Sequence, residues 1–427
     1  MSILLTAFEP FNDVCNASQL AVESIKQELA PVSPDERPLP PRVPASLDWS
    51  EDGQRQRLDL LAARGLAPTA LTGEAGPPDP ASLQGHIENY IGMASVPVGL
   101  IGPLRVAGLH ARGDVYVPLA TSEGALVASY DRGARLISLS GGAVCLLSQE
   151  QVQRAPGFAF ETLADAAHFA VWAVDQIEAF RAVTASQTSH GQLIDMMTHV
   201  EGNHVYLIFA FHPGDAAGQN MVTFCSAAIC KDILERTPIQ PSYWFLESNM
   251  SGDKKATAMS FLQTRGRNVT AEALLPRRLV ERGLRTTPER MVDYWRMSFV
   301  AGVQTGSIGV SGHISNGLAA LFLACGQDVA CVSEASVGTT RLECRDGDLY
   351  CALTLPNLIV GSVGGGTSLP TARECLEIME CVGDGKAGRL AEICAATALA
   401  GEISIIGALC AGEFADAHRR LGRKPGS

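Results

Sequence analysis

The 427-residue sequence has no long hydrophobic run, no basic patch and no CxxC cysteine pair, and each absence excludes a class of protein. Its longest apolar runs, residues 317–325 and 403–410, fall well short of the ~20 residues that span a bilayer. The net charge is −12, and the sequence has no cluster of arginines and aromatic residues that would indicate nucleic-acid binding. The start lacks a secretory pattern. We therefore expect a cytoplasmic protein with 12 reduced cysteines, no membrane span and no metal site.

Composition and turn residues divide the chain into parts. Residues 1–48 are predicted to form an appended strand and helix followed by a proline-rich linker. Residues 49–86 are predicted to form a small helical region. Residues 156–246 combine helix and strand patterns and are predicted to form a separate α+β unit. The flanking residues 87–155 and 247–427 form the remaining, larger part, so the predicted class is α+β.

One stretch, residues 306–328, is predicted to form a single long helix at the centre of the protein. Its small and apolar residues indicate burial. At 3.6 residues per turn, His313, Asn316 and Gln327 fall within roughly 60° of one another. Because buried polar groups need partners, this stripe indicates either a core helix whose polar groups are satisfied or a helix that lines a site.

Four ionisable side chains are candidates for chemistry. Lys254 belongs to the triplet DKK before an apolar stretch and could stabilise an oxyanion. Glu123, at the predicted start of a helix that Ser122 could cap, could donate a proton. Asp328 ends the predicted central helix and could orient the lysine, and His418 could protonate a leaving group. Each side chain also has a simpler interpretation as a solvated or capping residue.

Two glycine-containing loops could hold phosphate groups. DAAGQN, residues 215–220, joins a predicted strand to a helix whose N-terminus offers amide donors. GSVGGGT, residues 361–367, could accommodate a pyrophosphate. Neither loop is a GxGxxG turn, and most glycine loops are only turns.

Nine motifs occur in one order along the chain. They are ENYIG (88–92), VPVGLIGPL (96–104), ATSEGALVAS (120–129), GDAAGQNM (214–221), DKK (253–255), GHxxN (312–316), ACGQD (324–328), GSVGGGT (361–367) and AGEISIIGALCAG (400–412). The series resembles 3-hydroxy-3-methylglutaryl-coenzyme A (HMG-CoA) reductase, in the class shared by eukaryotes, archaea and some bacteria, over about residues 50–423. Separately, residues 1–30 resemble the start of pyroglutamyl peptidases, whose later Glu, Cys and His arrangement does not follow.

The resemblance implies reduction of HMG-CoA to mevalonate and CoA by two hydride transfers from NADPH, with NADH left open. It implies a large α/β domain around a long central helix, with an inserted ferredoxin-like cofactor domain. It also implies a homodimer or higher oligomer with active sites at the interface. In that family's terms Lys254 stabilises the oxyanion, Glu123 donates a proton, Asp328 tunes both, and His418 protonates departing CoA.

The resemblance also assigns binding residues. The implied substrate-binding residues are Glu88, Asn89, Arg154, Lys255, Arg296 and Asn316. The implied cofactor-binding residues are Asp215, Gly218, Asn220, Gly364, Gly365, Gly366 and Thr367.

The chain departs from the family pattern at several of these positions. Ala217 and Gln219 replace two methionines of the cofactor loop, and Arg296 stands where a lysine is usual. Glu247 aligns with a serine expected near the substrate carboxylate, although a one-residue slip would bring Ser248 there. Ser189-His190 replaces an arginine for the 2′-phosphate of NADPH.

These departures keep alternatives open. One is a reductase of a related 3-hydroxyacyl-CoA, which assays with other acyl-CoAs would distinguish. Another is a non-catalytic, dimeric CoA-binding homologue, which would bind CoA without oxidising any cofactor. A peptidase, suggested by residues 1–30, lacks a nucleophile constellation.

Overall fold

A ten-stranded sheet runs through the computed structural model, which describes residues 25–415 and residue 419. The predicted strand at residues 3–8 and the candidate His418 lie outside the described residues. In chain order the strands are β1 (Val98–Gly108), β2 (Arg112–Ala120), β3 (Ala143–Arg154), β4 (Gly157–Ala159), β5 (Gln192–Glu201), β6 (His204–His212), β7 (Tyr243–Phe245), β8 (Gly266–Leu275), β9 (Thr339–Arg345) and β10 (Asp348–Leu358).

Twelve α-helices have both ends within the described residues. They are α1 (Glu51–Ala62), α2 (Thr69–Thr72), α3 (Leu126–Leu139), α4 (Leu163–Val174), α5 (Ile177–Gln187), α6 (Gln219–Arg236), α7 (Arg277–Leu284), α8 (Pro288–Gln304), α9 (Ile314–Ala324), α10 (Val332–Ala335), α11 (Pro370–Ile378) and α12 (Ala387–Ala411).

The larger domain is built from β1, β2, β3, β8, β9 and β10, with α12 at its centre. Helix α12 is buried on nearly every face because its residues are small or apolar. Gly401 lies against the ring of Tyr130 on α3, where a Cβ would clash with the ring. Among the described residues α12 is the one helix long and apolar enough to cross a membrane, yet 89% of its most apolar window is buried within the protein. That burial is typical of a core helix.

The smaller domain has the order β4, α4 with α5, β5, β6, α6 and β7. Its strands lie in the order β7-β4-β6-β5 with antiparallel neighbours, which is the ferredoxin-like βαββαβ arrangement. The end of β3 pairs with β6 through Val152, Gln153 and Arg154, so one strand joins the two domains. The predicted α+β class and inserted ferredoxin-like unit are confirmed.

The long helix predicted over residues 306–328 is wrong in its extent. Helix α9 begins only at Ile314, because Gly306 and Gly309 adopt left-handed φ angles of 69° and 84°. Val310 forms a bridge with Thr339 instead of a helical turn. The long buried helix is α12, so the predicted polar stripe ends up split between the start of α9 and the loop after it.

The proline-rich segment predicted as a linker lies along the larger domain. Val32 N donates to Gly141 O at 2.9 Å, and Val43 N donates to Gly102 O at 3.3 Å. Arg105, which is 1% exposed, donates to Val32 O at 2.9 Å and pairs with Asp114. The segment therefore contributes to the burial of a charged side chain of β1.

Candidate active site

Lys254 lies in the loop between β7 and β8, and its ammonium forms an ion pair at the end of α9. Lys254 Nζ lies 2.8 Å from Asp328 Oδ2. The hydrogen bond that Lys254 donates to Asp328 raises the pKa of Lys254. Partial burial would raise the pKa of Asp328, but the hydrogen bond and charge of Lys254 outweigh burial and lower it. At neutral pH the site therefore holds a positive charge beside an ionised carboxylate.

The backbone of Lys254 is held in an unusual conformation. Its φ is 56°, which a residue with a Cβ adopts only at a cost. Its N–H donates to Glu334 Oε1 at 3.1 Å, and this carboxylate is fully buried on α10. The contact supplies a partner for the amide in that conformation and directs the side chain towards Asp328.

Arg265, which is 2% exposed, connects the parts of this loop. Its Nη1 donates to Glu334 Oε1 at 2.5 Å, and its Nη2 lies 2.7 Å from Asp253 Oδ1. Nη2 also donates to Gln219 Oε1 at 2.6 Å, on the first residue of α6. One planar guanidinium thus contacts Asp253, which precedes Lys254, Glu334, which accepts from the amide of Lys254, and the start of α6.

Gln219 has a second contact beside the lysine. Its Nε2 lies 3.2 Å from Cys331 Sγ, and burial raises the pKa of that thiol to about 12. This neutral thiol contributes a hydrogen bond that lowers the pKa of Asp328. Where the family pattern has a methionine, Gln219 therefore links Arg265 to the Lys254–Asp328 pair.

Glu123 lies in the turn before α3 and contacts α9. Asn316 Nδ2 donates to its two carboxylate oxygens at 3.3 and 3.1 Å. The predicted helix start at Glu123 is wrong, because α3 begins at Leu126 after Ala125 adopts a left-handed φ of 73°. Glu123 N instead donates to Thr121 Oγ1 at 2.9 Å. Within the described residues no ion pair joins Glu123 to Lys254, so this chain brings the lysine to one acid and the asparagine to the other.

Arg154, at the junction of the two domains, is enclosed by acids. Its Nη1 donates to Glu247 Oε2 and to Asp253 Oδ2, both at 3.1 Å, and its Nη2 donates to Thr223 Oγ1 at 3.0 Å. Lys255 Nζ donates to the carbonyl of Asp253 at 2.9 Å. Arg154 and Lys255 therefore lie around the Lys254 loop. They are two of the three cations, with Arg296, that were predicted to bind the substrate.

The two predicted cofactor loops meet. Ala216 forms a bridge with Val363, and Ser362 N donates to Asp215 O at 2.9 Å. A Cβ on Gly361 would lie 2.5 Å from Ala217 N, so only glycine allows this approach. The carboxylate of Asp215 accepts from Gly385 N and Ala387 N at the start of α12, at 2.8 and 3.1 Å. Asp215 therefore anchors its loop to the core.

The surface formed by these loops suits an anionic ligand. Helix α6 begins after Gly218, with φ 80° and no side-chain cap, so its first amides lack a side-chain acceptor. No neighbouring atom lies within 4 Å of a Cβ built on Gly364 or Gly365. Asn220, Gly364, Gly365 and Thr367 therefore border open space, and the residues present fit a dinucleotide pyrophosphate.

Arg267 connects the two loops and was not predicted from the sequence. It is 1% exposed, donates to Gly214 O at 2.6 Å and to Val360 O, and pairs with Glu150 at 2.7 Å. Burial opposes ionisation of Glu150, yet His212 and Arg267 together lower its pKa to about 2. The signal available in the sequence was two arginines, Arg265 and Arg267, two apart at the start of a strand and so on one face of it.

Glu402 on α12 supports the start of α9 and was also missed. Its oxygens accept from Gly312 N and His313 N at 2.6 and 2.5 Å. Burial raises the pKa of Glu402 to about 7 and lowers that of His313 to about 4. Tyr130 donates to the carbonyl of His313 at 2.7 Å and stacks on its ring. His313 is therefore a neutral, packed residue of the GHxxN motif.

Other predicted residues lie apart from this cluster. Arg296 is exposed on α8 and pairs with Asp293 at 3.2 Å. Glu88 and Asn89 lie in an exposed segment before β1.

Gln327 closes the loop after α9, because its Oε1 accepts from Gly361 N at 2.8 Å and its Nε2 donates to Gly361 O at 3.1 Å.

Comparisons with known proteins show what the chain is similar to in sequence and in fold. Residues 54–423 match the family described as hydroxymethylglutaryl-coenzyme A reductase. The chain is 44% identical over 345 residues to the 3-hydroxy-3-methylglutaryl-coenzyme A reductase of Aeropyrum pernix, covering 79% of this chain and 82% of the relative. It is 38% identical to that of Haloferax volcanii over 385 residues, covering 89% and 94%. The fold resembles the class II enzyme of Streptococcus pneumoniae bound to NADPH, with a TM-score of 0.67 at 18% identity, covering 85% of this chain and 100% of that one.

Proposed function

The chain belongs to the hydroxymethylglutaryl-coenzyme A reductase family, and we propose that the site described above reduces the thioester of HMG-CoA with Lys254, Asp328 and Glu123 as its reactive groups. The expected oxidoreductase activity with a nicotinamide cofactor is confirmed by that membership. The contact between Lys254 and Asp328, at 2.8 Å, is the observation on which the proposed roles depend.

Lys254 is proposed to stabilise the oxyanion. When hydride adds to a thioester carbonyl, negative charge develops on the oxygen, and a fixed ammonium lowers the energy of that charge. Asp328 keeps the lysine protonated, since its hydrogen bond raises the pKa of Lys254. Glu334 and Arg265 hold the loop, so the ammonium is in place before the substrate arrives.

Glu123 is proposed to donate the proton that the aldehyde stage of the reaction requires. A carboxylic acid performs this role when it lies within hydrogen-bonding reach of the alkoxide oxygen. Asn316, whose amide donates to both oxygens of Glu123, fixes the orientation of the carboxyl group. His418 is proposed to protonate departing CoA, because the thiolate that leaves needs a proton and histidine can supply one near neutral pH.

The cofactor is proposed to be NADPH, which the Streptococcus pneumoniae enzyme of the same fold binds. When bound, NADPH supplies the hydride. The first amides of α6 and the open glycines of the 361–367 loop would hold its pyrophosphate. Arg267 fixes the spacing of the two loops through its contacts with Gly214 and Val360.

A homodimer is proposed to complete the site. The segment before β1 exposes Ile87, Ile91 and Met93 at 51%, 101% and 47%, and α8 exposes Met297, Val300 and Val303 at 65%, 57% and 63%. Apolar surface of this kind on two elements fits burial against a second copy. A cytoplasmic location is proposed as well, supported by the free thiols of the described cysteines.

The test is a spectrophotometric assay of the purified protein at the nicotinamide absorbance. With HMG-CoA present, we expect oxidation of two NADPH for each CoA released, and slower oxidation of NADH. Release of CoA is measured with a thiol reagent in the same sample. CoA binding without any oxidation of either cofactor would favour the non-catalytic homologue and refute the proposal.

A further inference from the structure

The guanidinium of Arg154 is neutralised by the protein itself. Glu247 and Asp253 each contact Nη1 at 3.1 Å, and Thr223 accepts from Nη2. Arg154 is only 8% exposed, and within the described residues its buried Nε has no hydrogen-bond partner. Leaving such a donor unsatisfied is costly, so a rearrangement around Arg154 that brings an acceptor to Nε would be favourable.

Asp253 and Glu247 differ in how they are held. Asp253 pairs with Arg265 as well as with Arg154, so its charge is needed by two buried cations. Glu247 has Arg154 as its one ion-pair partner in the described chain, and its side chain is 25% exposed. Its other contacts come from Asn249 N at 2.7 Å and Ser251 Oγ at 3.0 Å in the same loop, and from Ala155 N at 3.5 Å. If Glu247 moves away from Arg154, no other cation loses an ion-pair partner. If Asp253 moves away, Arg265 loses one as well.

We propose that Glu247 is a specificity-determining residue: it acts as a built-in carboxylate that occupies Arg154 and competes with the free carboxylate of the acyl group. The inference rests on the proposed function and on the substrate-binding role that the family resemblance implies for Arg154, which we take to be binding of that carboxylate. When an anionic acyl group binds, Glu247 rotates towards solvent. Arg154 then offers Nη1, together with the unpartnered Nε, to the substrate.

The charges around Arg154 make this competition unfavourable for an anionic substrate. Two buried guanidiniums, Arg154 and Arg265, face three carboxylates, those of Glu247, Asp253 and Glu334. Lys255 is exposed and directs its ammonium to a backbone carbonyl. A fourth carboxylate entering this cluster meets like charge at short range, which costs several kcal/mol unless one acid moves away. Glu247 thus lowers the preference of the site for acyl groups that end in a carboxylate.

The test compares wild type with Glu247→Gln. Glutamine keeps the length of the side chain and one oxygen, which can accept from Asn249 N as Oε1 does, but removes the charge. We expect the KM for HMG-CoA to fall by ~10-fold or more, since like-charge repulsion is removed. The KM for 3-hydroxy-3-methylbutyryl-CoA, which lacks the terminal carboxylate, should stay within about twofold, because that acyl group has no charge to repel.

The matched control is Glu201→Gln, which makes the same change of charge at the exposed end of β5 and should alter neither KM. If Glu247→Gln does not fold, as judged by thermal unfolding, Glu247→Ser is measured in its place. An unchanged or higher KM for HMG-CoA, or an equal change for both acyl-CoAs, overturns the inference about Glu247. Absence of turnover by wild type with HMG-CoA refutes the proposed function instead, so the two failures are distinguishable.

Discussion

Lys254 Nζ lies 2.8 Å from Asp328 Oδ2, and this contact joins the loop between β7 and β8 to the end of α9. Both side chains are partly accessible, at 44% and 39%. A substrate can therefore reach the ammonium. The loop that carries it is held in place by the buried side chains of Glu334 and Arg265.

Replacing either partner should abolish turnover. For Lys254→Ala and Asp328→Ala we expect kcat with HMG-CoA to fall by about 10²–10³-fold or more, because an oxyanion-stabilising charge is lost or misplaced. Lys231→Ala, on the exposed side of α6, is the control of equal charge and should retain normal rates. A Lys254→Ala enzyme with wild-type kcat would contradict the mechanism.

Arg265 and Glu334 should act as positioning residues. Arg265→Lys keeps the charge but loses the fork that reaches Asp253, Glu334 and Gln219. Since a displacement of about 1 Å can cost ~10²-fold in rate, we expect kcat to fall by about that factor with little change in the KM for NADPH. Glu334→Gln leaves Arg265 with one acid fewer and should lower stability by about 3–5 kcal/mol. Equal loss of kcat in the exposed variant Arg278→Lys would show that the effect is not specific.

Arg267 should matter for the cofactor rather than for the thioester. Arg267→Lys cannot span Gly214 O, Val360 O and Glu150 together, so the spacing of the two loops is relaxed. We expect the KM for NADPH to rise ~10-fold, which corresponds to the loss of about one hydrogen bond to a charged group. The KM for HMG-CoA should be unaffected. Steady-state kinetics with each substrate varied in turn distinguishes these effects, and an equal rise in both KM values would exclude a role confined to the cofactor loops.

His418 lies outside the described residues, and its role stays a prediction. For His418→Gln we expect slower reduction of HMG-CoA, by about 10²–10⁴-fold as for loss of a general acid, but normal reduction of added mevaldehyde. The reason is that only the thioester reaction expels CoA. Equal losses with both substrates would contradict the assigned role.

Glu402 should make stability depend on pH. Burial raises its pKa to about 7 from an ordinary 4.5, so the folded protein binds more protons than the unfolded chain between these values. Its contribution to stability is complete below about pH 4.5 and is lost as pH rises through about 7. A shift of this size corresponds to about 3 kcal/mol. Urea unfolding at several pH values should show a smaller decline between pH 5 and pH 8 in Glu402→Gln than in wild type, and identical slopes would refute the assignment.

Much of the fold could be predicted from local patterns. The helix and strand patterns of residues 156–246 identified the inserted α+β unit, because each of its elements buries a face that its own sequence defines. The boundaries of α3 and α9 could not be predicted, since they depend on left-handed turns at Ala125 and Gly309 that the surrounding packing selects.

The sequence by itself determined which chemical groups this protein has: an ammonium at Lys254, acids at Glu123 and Asp328, and two glycine loops in a recognisable order. The tertiary structure alone decided which of them meet. It paired Lys254 with Asp328 but Glu123 with Asn316. It also gave the buried Arg265 and Arg267 several partners each, and it placed Glu247 in contact with Arg154. The physical reason is that a buried cation must find acceptors, and those acceptors come from segments far apart in the chain that meet only when the core is packed.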